Sequence, residues 1–392
     1  MHVVRILTRP NLGGPMLQAL ALWHAMRERG VRTLLVVGAC GPGEAAVDVA
    51  GAGVPLLDPA AVGPGAEGLL QLPALGNSWP GRRDGRARRE LGALLARVQP
   101  DVVHTHTSKA GWLGRRAARA AAVPVVAHTF HGLVLRDYFG PLRAFVLRRL
   151  ERRLAAATDL LFAVSPSCAD ELAALGVAPR PRIRVVPPAV APGPRADRAA
   201  ARQALGLPAD AWAAAWVGRL VPIKRALHFA EVVRRSDGLR GHVFGDGPQR
   251  TALLAAAQRE PRLAVHGAVP DVRELLPAFD ALVLTSVREG CPLVAVEAFE
   301  AGVPVIGYDV PGVRDALQTW GGGVLVPEAA GPAGLARALQ RVRSDAMLRA
   351  ECTARGRAAR ARFAPAAVAQ QLLDAYASVR DAQAGYDGGR LG

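Results

Sequence analysis

Two positively charged side chains stand five residues apart in the segment Val217-Gly218-Arg219-Leu220-Val221-Pro222-Ile223-Lys224. A planar guanidinium and a compact ammonium at this spacing can together neutralise a diphosphate. Lys224 is one of only two lysines among 49 basic residues, and the two cations are not interchangeable at a tight phosphate site. The segment therefore indicates an anion-binding role, with an ordinary surface pair as the alternative.

Two carboxylates form a second group, in Arg288-Glu289-Gly290-Cys291-Pro292-Leu293-Val294-Ala295-Val296-Glu297. We expect Glu289 on a loop and Glu297 about two turns into the following helix. At that separation the two carboxylates suit two parts of one extended ligand. Pro292 near the helix start leaves backbone amides free to face a phosphate. Taken singly, each glutamate is equally compatible with a solvated surface position.

Glycine-rich turns follow two of the predicted strands, in Phe244-Gly245-Asp246-Gly247-Pro248 and in Thr8-Arg9-Pro10-Asn11-Leu12-Gly13-Gly14-Pro15. Glycine allows a backbone to approach a ligand closely, and Pro15 suits the first position of a helix. A tight turn without a ligand explains the Gly13-Gly14 pair equally well. The chain has neither GxGxxG nor GxxxxGK[ST], which disfavours nicotinamide and P-loop nucleotide sites.

Histidines cluster in the N-terminal half, at His104, His106 and in His128-Thr129-Phe130-His131-Gly132. His104 and His106 alternate on one face of a predicted strand, which is one way to begin a metal site. No Asp, Glu or Cys nearby is arranged to complete such a site, so buried or ligand-facing histidines are the preferred interpretation. The chain also has no Asp-x-Asp, which argues against metal-dependent transferases of the GT-A class.

The elements that must position these residues follow an alternating pattern. Short apolar runs without internal alternation are typical of parallel strands covered on both faces, and Ala/Leu/Arg-rich segments such as 15–29 and 87–98 predict helices between them. The predicted strands are 2–8, 33–38, 101–106, 123–129, 160–165, 183–187, 213–218, 241–245, 263–267, 281–286, 304–308 and 323–327. A proline-rich segment at 187–194 separates the two series. We therefore predict two Rossmann-like, doubly wound α/β domains facing each other across a cleft, with ligands beyond the carboxyl ends of the strands.

Composition limits the class of protein. At 51% hydrophobic and 21% charged residues, the 392-residue chain can bury a large core, so disorder is excluded. No apolar run is long enough to span a membrane, the N-terminus reads as a core strand, and the four scattered cysteines predict neither zinc ribbons nor disulfides. The net charge of +16 fits either composition bias or a patch for an anionic partner. We expect a cytoplasmic protein.

In order and spacing, these motifs resemble the C-terminal domain of family 4 glycosyltransferases, which are retaining enzymes of the GT-B fold. The resemblance covers nearly the whole chain and is strongest over 213–327. It implies that Arg219 and Lys224 bind the donor diphosphate and stabilise the leaving group. It also implies that Glu289 contacts hydroxyls of the donor sugar and that Glu297 holds the ribose. The further donor-binding positions are Gly13, Gly14, Gly218, Gly245, Gly247, Gly290, Cys291, Pro292 and Leu293.

The same resemblance assigns His131 to the catalytic site, because similar enzymes have a histidine close to the reacting sugar at this place. A neutral imidazole there accepts a hydrogen bond from a sugar hydroxyl or positions the acceptor. With Arg219, Lys224 and helix N-termini to stabilise the diphosphate, we expect no metal and no cofactor beyond the nucleotide sugar.

We therefore predict a retaining hexosyltransferase that uses a nucleotide diphosphate sugar, most simply a UDP-sugar, in envelope polysaccharide or glycolipid synthesis. Its partners are the donor, a sugar or lipid-linked acceptor and, as an option, an anionic membrane at the inner face; nucleic acid is not expected. The predicted domains are 1–190 for the acceptor, 191–365 for the donor, and 366–392 as a returning helix with a disordered tail from 384. Two alternatives stay open: an epimerase or phosphorylase on the same scaffold, and a non-enzymatic binder of anionic surfaces.

Two further segments carry predictions. Residues 68–90 interrupt the alternation, and we interpret them as a loop that leads into an arginine-rich helix. The segment 142–156 predicts a helix with Leu147, Leu150 and Leu154 on one face and arginines on another. Such a helix either lies on an anionic membrane or, as the preferred interpretation, covers its domain with the arginines outward.

Overall fold

The computed structural model describes residues 1–11, 13–41, 46–76, 82–132, 140–193 and 197–388. The chain divides into two compact units, one of residues 1–191 with 364–392 and the other of residues 192–363. The C-terminal segment therefore belongs to the first unit. No helix of the described ranges is long and apolar enough to cross a membrane.

The first unit contains a seven-stranded, fully parallel sheet in the order β3-β2-β1-β4-β5-β6-β7. Its strands are β1 His2–Leu7, β2 Arg32–Val37, β3 Gly68–Gln71, β4 Val102–His106, β5 Val125–Phe130, β6 Leu160–Ala163 and β7 Ile183–Val185. Its helices are α1 Gly14–Arg27, α2 Arg82–Val98, α3 Ser108–Ala120, α4 Pro141–Ala156, α5 Pro166–Ala174 and the C-terminal α12 Pro365–Gly388. Apolar side chains of α2 and α3 cover one face of the sheet, and those of α1 and α12 cover the other.

The second unit repeats this topology with six parallel strands in the order β10-β9-β8-β11-β12-β13. The strands are β8 Ala213–Val217, β9 Arg240–Phe244, β10 Leu263–Gly267, β11 Ala281–Leu284, β12 Val305–Tyr308 and β13 Gly323–Val326. The helices are α6 Arg198–Ala204, α7 Ala226–Arg234, α8 Arg250–Arg259, α9 Leu293–Glu300, α10 Gly331–Ser344 and α11 Ala346–Ala359. One continuous core, including the fully buried Phe229, Phe244 and Phe299, joins the sheet to these helices.

One strand contradicts the sequence prediction for 68–90. Gly68–Gln71 forms β3, an edge strand paired with β2, where we expected a loop. Glycine at the start of this short segment concealed it, yet Gly68 has a φ of +140° and a side chain there would lie 2.5 Å from the Pro55 carbonyl oxygen. The close approach of Pro55 therefore requires glycine within a strand. Residues 77–81, which fall within the predicted loop, lie outside the described residues.

The C-terminal helix is longer than the sequence indicated. We expected a helix over 366–383 and a disordered tail from 384, whereas α12 continues to Gly388. The tail prediction is wrong for 384–388, and residues 389–392 lie outside the described part. Val368, Leu372 and Tyr376 of α12 are buried against the first sheet, and the backbone stays helical through the glycines that suggested an end.

Candidate active site

The strand order of the second unit reverses between β8 and β11, and the loops after these two strands carry the predicted charged residues. Ligands of open parallel sheets bind beyond the carboxyl ends of the strands at such a reversal. Gly218–Lys224 follows β8, Gly245–Pro248 follows β9, and Thr285–Pro292 follows β11. The topology therefore places the three sequence motifs at one edge of one sheet.

Backbone hydrogen bonds join the first two loops directly. The Gly218 amide donates to the Phe244 carbonyl at 3.0 Å, and the Leu220 amide donates to the Asp246 carbonyl at 2.9 Å. Gly245 has a φ of +134°, and a side chain there would meet the Gly218 carbonyl oxygen at 1.9 Å. Gly247, at +151°, approaches the Leu220 carbonyl in the same way. These glycines are needed because two backbones touch.

An ion pair connects the loops after β8 and β11. The Lys224 ammonium lies 2.5 Å from Glu289 Oε1, and the Ser286 hydroxyl donates to the same oxygen at 2.6 Å. The Val287 amide donates to the Ile223 carbonyl at 2.9 Å, which fixes the spacing of the two loops. The side chains of Lys224 and Glu289 are 24% and 11% exposed, so a charged pair is held where a ligand can still reach it.

The buried hydroxyl of Thr285 holds the backbone of Lys224 in place. Thr285 Oγ1 accepts a hydrogen bond from Trp216 Nε1 at 2.8 Å and lies 2.7 Å from the Lys224 carbonyl oxygen, to which it donates. The next residue, Arg225, has a φ of +48° and precedes α7, so the chain turns sharply directly after the lysine. Sequence reasoning did not single out Thr285 or Ser286, because hydroxyl residues after a strand carry no distinctive pattern.

Arg219 lies in the same loop with its side chain exposed, and no carboxylate of the described residues pairs with it. Its cation is thus available to an external anion. Gly290 is buried, and Pro292 caps the N-terminus of α9, with Leu293 as the first helical residue. Burial, with the nearby Asp315 and Glu289 carboxylates, raises the pKa of the Cys291 thiol well above its usual value, so the thiol is uncharged at neutral pH.

Glu297 is the fifth residue of α9, little more than one turn into the helix, where the sequence suggested two turns. Burial raises the pKa of its carboxyl to about 7. The positive charges of Arg273 and Arg360 oppose that rise, while the negative charges of Asp271 and Glu300 add to it. The ionised carboxylate of Glu297 therefore destabilises the folded protein, and such strongly shifted acids are typical of functional sites.

We expect Glu297→Gln to stabilise the ligand-free protein at alkaline pH. Because the folded-state pKa is raised from 4.5 to about 7, the stability that Glu297 confers is complete below pH 4.5 and is lost as pH rises through 7. The ionised carboxylate then costs up to about 3 kcal/mol. Urea unfolding at pH 6 and pH 8 checks this, and a variant whose difference from wild type does not grow with pH contradicts it.

Another close approach completes the loop after β11. Gly312 has a φ of +77°, and a side chain there would lie 2.2 Å from the Glu289 carbonyl oxygen. The Glu289 amide in turn donates to the Pro311 carbonyl at 3.0 Å. Sequence reasoning missed this glycine, although the Pro311-Gly312 pair shortly after β12 is a recognisable turn signal.

The first unit has its own strand reversal, between β1 and β4. The Thr8 and Thr107 hydroxyl oxygens lie 2.7 Å apart across it. Thr107 has a φ of +63° with an extended ψ, a strained conformation of the kind that concentrates at functional sites. Gly13 is the N-cap of α1 and Gly14 its first residue, so both lie at the carboxyl end of β1, as the sequence indicated.

His131 directly follows β5 and is half-buried. Its Nε2 lies 2.9 Å from His106 Nδ1, and His106 Nε2 lies 3.0 Å from the guanidinium of Arg5. His104 is fully buried and bonds Thr129 and Tyr376, which fits the interpretation of buried and ligand-facing histidines. Within the described ranges, no three His, Cys, Asp or Glu side chains are grouped to hold a metal ion.

The predicted residues thus fall into two groups. Gly13, Gly14 and His131 belong to the first unit, and all the others belong to the second. Within the second unit, the loops that carry Gly218, Gly245, Lys224 and Glu289 are joined by direct hydrogen bonds. Glu297 lies on the helix that follows Glu289, in a separate charged environment with Arg273.

Two family models and several known proteins match this chain. Residues 13–189 match the Glycosyl transferase 4-like domain, and residues 213–345 match the Glycosyl transferases group 1 domain. A 2-deoxystreptamine N-acetyl-D-glucosaminyltransferase of Streptomyces fradiae is 31% identical over 87% of this chain and 84% of that protein. A UDP-Gal:alpha-D-GlcNAc-diphosphoundecaprenol alpha-1,3-galactosyltransferase of Escherichia coli is 33% identical over 59% of this chain and 63% of its own length.

A solved structure shows the same fold. Anabaena Alr3699/HepE in complex with UDP-glucose is 19% identical and aligns with a TM-score of 0.75 over 96% of this chain and 100% of that chain. The two parallel Rossmann-like sheets are those of the GT-B fold. With the matched domains and the Streptomyces relative, they establish that this chain is a glycosyltransferase and belongs to family 4.

Proposed function

We propose that the protein transfers a hexose from a UDP-sugar to an acceptor hydroxyl with retention of configuration. The observation that carries this proposal is the Lys224–Glu289–Ser286 cluster across the strand reversal of the second unit, with the exposed cation of Arg219 in the same loop. The Escherichia coli relative is named for UDP-Gal, and Alr3699/HepE was solved with UDP-glucose, which supports uridine as the base.

The chemistry follows from the charges. As the bond between sugar and diphosphate breaks, negative charge develops on the leaving oxygen, and preorganised cations lower the energy of that transition state. Lys224 has three N–H groups and gives one to Glu289, so two are available to phosphate oxygens. The Glu289 carboxylate fixes the ammonium and accepts hydrogen bonds from sugar hydroxyls. Glu297, when ionised, accepts hydrogen bonds from the ribose.

Because these cations supply the positive charge, we propose that transfer needs no divalent metal. The test is UDP release from UDP-glucose, UDP-galactose and UDP-N-acetylglucosamine, with and without EDTA, against 2-deoxystreptamine and a diphosphoundecaprenol-linked N-acetylglucosamine as acceptors. Proton NMR of the product reports the anomeric configuration. We expect EDTA-insensitive release and an α-linked product. An inverted product contradicts retention. Conversion of the UDP-sugar to a different sugar nucleotide without UDP release favours an epimerase, and phosphate-dependent formation of a sugar 1-phosphate favours a phosphorylase.

Helix α4 supports a lipid-linked acceptor at a membrane surface. Leu147, Leu150 and Leu154 are half-buried, as expected for a helix that covers its domain. Three other apolar side chains, however, are exposed near the start of the helix: Leu142 is 76%, Phe145 54% and Val146 55% exposed. Exposed apolar side chains beside arginines are the pattern of helices that insert into anionic headgroups.

A cavity of about 260 Å³ adjoins this apolar group. It is lined by Phe145, Leu175 and the guanidinium-bearing Arg148, Arg149 and Arg152. Three cations around one cavity fit a phosphate, either of a lipid headgroup or of a lipid-linked acceptor. We therefore propose that α4 docks the protein on an anionic bilayer.

Sedimentation with vesicles tests this docking. We expect the protein to bind vesicles that contain phosphatidylglycerol and not vesicles of phosphatidylcholine alone. The Phe145→Ser/Val146→Ser double variant should weaken binding at least tenfold. Insertion of two apolar side chains into the bilayer contributes about 3 kcal/mol or more, and the variant loses that contribution. Met347→Ser is the matched control, since Met347 is 83% exposed on the second unit. Equal binding by the double variant and the control refutes the docking helix.

A further inference from the structure

Three side chains form a continuous hydrogen-bonded line from the core of the first unit to its candidate site. Arg5, in the middle of β1, is fully buried, and its Nη2 lies 3.0 Å from His106 Nε2. His106, at the end of β4 and 1% exposed, places its Nδ1 2.9 Å from His131 Nε2. His131 is half-buried, and its second ring nitrogen, Nδ1, has no partner among the described residues.

Only one arrangement of protons satisfies this line. A guanidinium can donate hydrogen bonds but cannot accept them, so His106 Nε2 must be the acceptor and carries no proton. A neutral His106 then carries its proton on Nδ1 and donates to His131 Nε2. His131 Nε2 is therefore also without a proton, and a neutral His131 carries its proton on Nδ1. The reverse order would leave His106 with no proton on either nitrogen.

The buried positive charge of Arg5 is not compensated by an ion pair. No carboxylate of the described residues pairs with it, and its Nε and Nη1 atoms are buried without a hydrogen-bond partner. A buried charge without a partner costs several kcal/mol. Its guanidinium interacts with the Tyr376 hydroxyl and lies 3.0 Å from His106 Nε2, and the second of these contacts is the one that bears on the orientation of the histidines.

We propose that Arg5 and His106 are positioning residues that fix His131 as a hydrogen-bond donor through Nδ1–H, directed at an oxygen atom of the substrate. This inference rests on the proposed function, in which that oxygen belongs to a sugar hydroxyl or a phosphate. His131 therefore does not take a proton from the acceptor hydroxyl. Sequence reasoning allowed this imidazole to accept a hydrogen bond from a sugar hydroxyl. In the present proposal it donates a hydrogen bond instead.

The electrostatics agree with this assignment. Burial, followed by the positive charge of Arg5, lowers the pKa of His131 to about 3. His106 and His104 have pKa values well below their usual range, with burial again as the largest cause. Neutral rings are the state that the hydrogen-bonded line requires, because a protonated His131 would turn an N–H toward the N–H of His106.

Tautomers are the first readout, and they do not depend on activity. In the full chain labelled with ¹⁵N-histidine, two-bond ¹H–¹⁵N correlation spectra distinguish protonated from unprotonated ring nitrogens. We expect His106 and His131 to be protonated at Nδ1 only, with signals assigned from the variants that lack each ring. In Arg5→Met the protons should redistribute between the two nitrogens. A wild-type His131 protonated at Nε2 overturns the proposal.

Two isosteric variants form the second readout. Asn places an N–H donor two bonds beyond Cβ, where His has Nδ1, whereas Asp places an acceptor oxygen there. We expect UDP release from the best donor to be at least tenfold faster in His131→Asn than in His131→Asp. A general base at this position predicts the reverse order, and either the reverse order or equal rates overturn the donor assignment.

Arg5→Met separates positioning from stability. Because an unpaired buried cation is replaced by an apolar side chain of similar length, we expect a melting temperature at or above that of wild type with UDP release reduced about tenfold. Arg5→Lys, which keeps a donor, should recover part of the loss. Full activity of Arg5→Met refutes its role. If wild-type protein releases no UDP from any donor, the proposed function fails. The tautomer measurement still tests whether Arg5 and His106 fix the proton of His131.

Discussion

Lys224→Ala is expected to reduce turnover about 1,000-fold, which is about 4 kcal/mol of transition-state stabilisation. The Lys224 ammonium, in the loop after β8, is held 2.5 Å from Glu289 in the loop after β11. The ammonium therefore does not have to move when charge develops on the leaving diphosphate. The measurement is steady-state UDP release with the best donor and acceptor. The loss should appear both in kcat and in the KM for the donor, because the cation binds the diphosphate in the ground state and acts more strongly on the transition state.

The control for this variant is Arg235→Ala, which removes an exposed cation paired with Glu231 on α7. We expect it to retain wild-type turnover. Removal of Lys224 leaves Glu289 with the Ser286 hydroxyl as its remaining side-chain partner, at a cost of about 1–3 kcal/mol, so the melting temperature of each variant must be recorded. A folded Lys224→Ala protein with near-normal turnover would overturn the assignment of Lys224.

Glu289→Gln is expected to lower kcat about 100-fold while the shape of the side chain is conserved. The carboxylate both orients Lys224 and accepts the Ser286 hydrogen bond, and an amide keeps one acceptor oxygen but loses the charge. Ser286→Ala removes one hydrogen bond to the same oxygen and should cost less than tenfold. UDP release and melting temperature of both variants are the measurements.

A double variant tests whether the pair acts as a unit. Because Lys224 and Glu289 share one ion pair, their losses should not add, and Lys224→Ala/Glu289→Gln should be close to Lys224→Ala alone. Losses that multiply would mean that the two residues act independently. That result would contradict a single preorganised cluster.

Much of this fold could be predicted because its signals are local. Each strand of the second unit is a short, largely apolar run, and all six were predicted to within two residues at either end. In the first unit β3 escaped detection, since Gly68 resembles a turn until the Pro55 carbonyl is seen beside it. The end of α12 was also missed, because Gly385 and Gly388 are poor helix formers and suggested an earlier end to the helix.

The candidate site was predictable as residue types but not as contacts. Lys224 and Glu289 were identified separately, whereas their ion pair depends on the pairing of β8 with β11, which sequence alone does not specify. Arg5 is the opposite case. This charged residue is visible in the sequence inside the apolar run His2–Leu7. Its contact with His106, which suggests a function, is visible only in the structure.

A thermal-shift panel of UDP, GDP, ADP and dTDP without added metal tests the central claim, a nucleotide-sugar site at the strand reversal of the second unit. A ligand at 100 times its Kd adds about 2.7 kcal/mol, enough to raise the melting temperature by several degrees. We predict a clear shift with UDP and its sugars that is lost in Lys224→Ala and retained in Arg235→Ala. An equal UDP shift in Lys224→Ala would contradict the account.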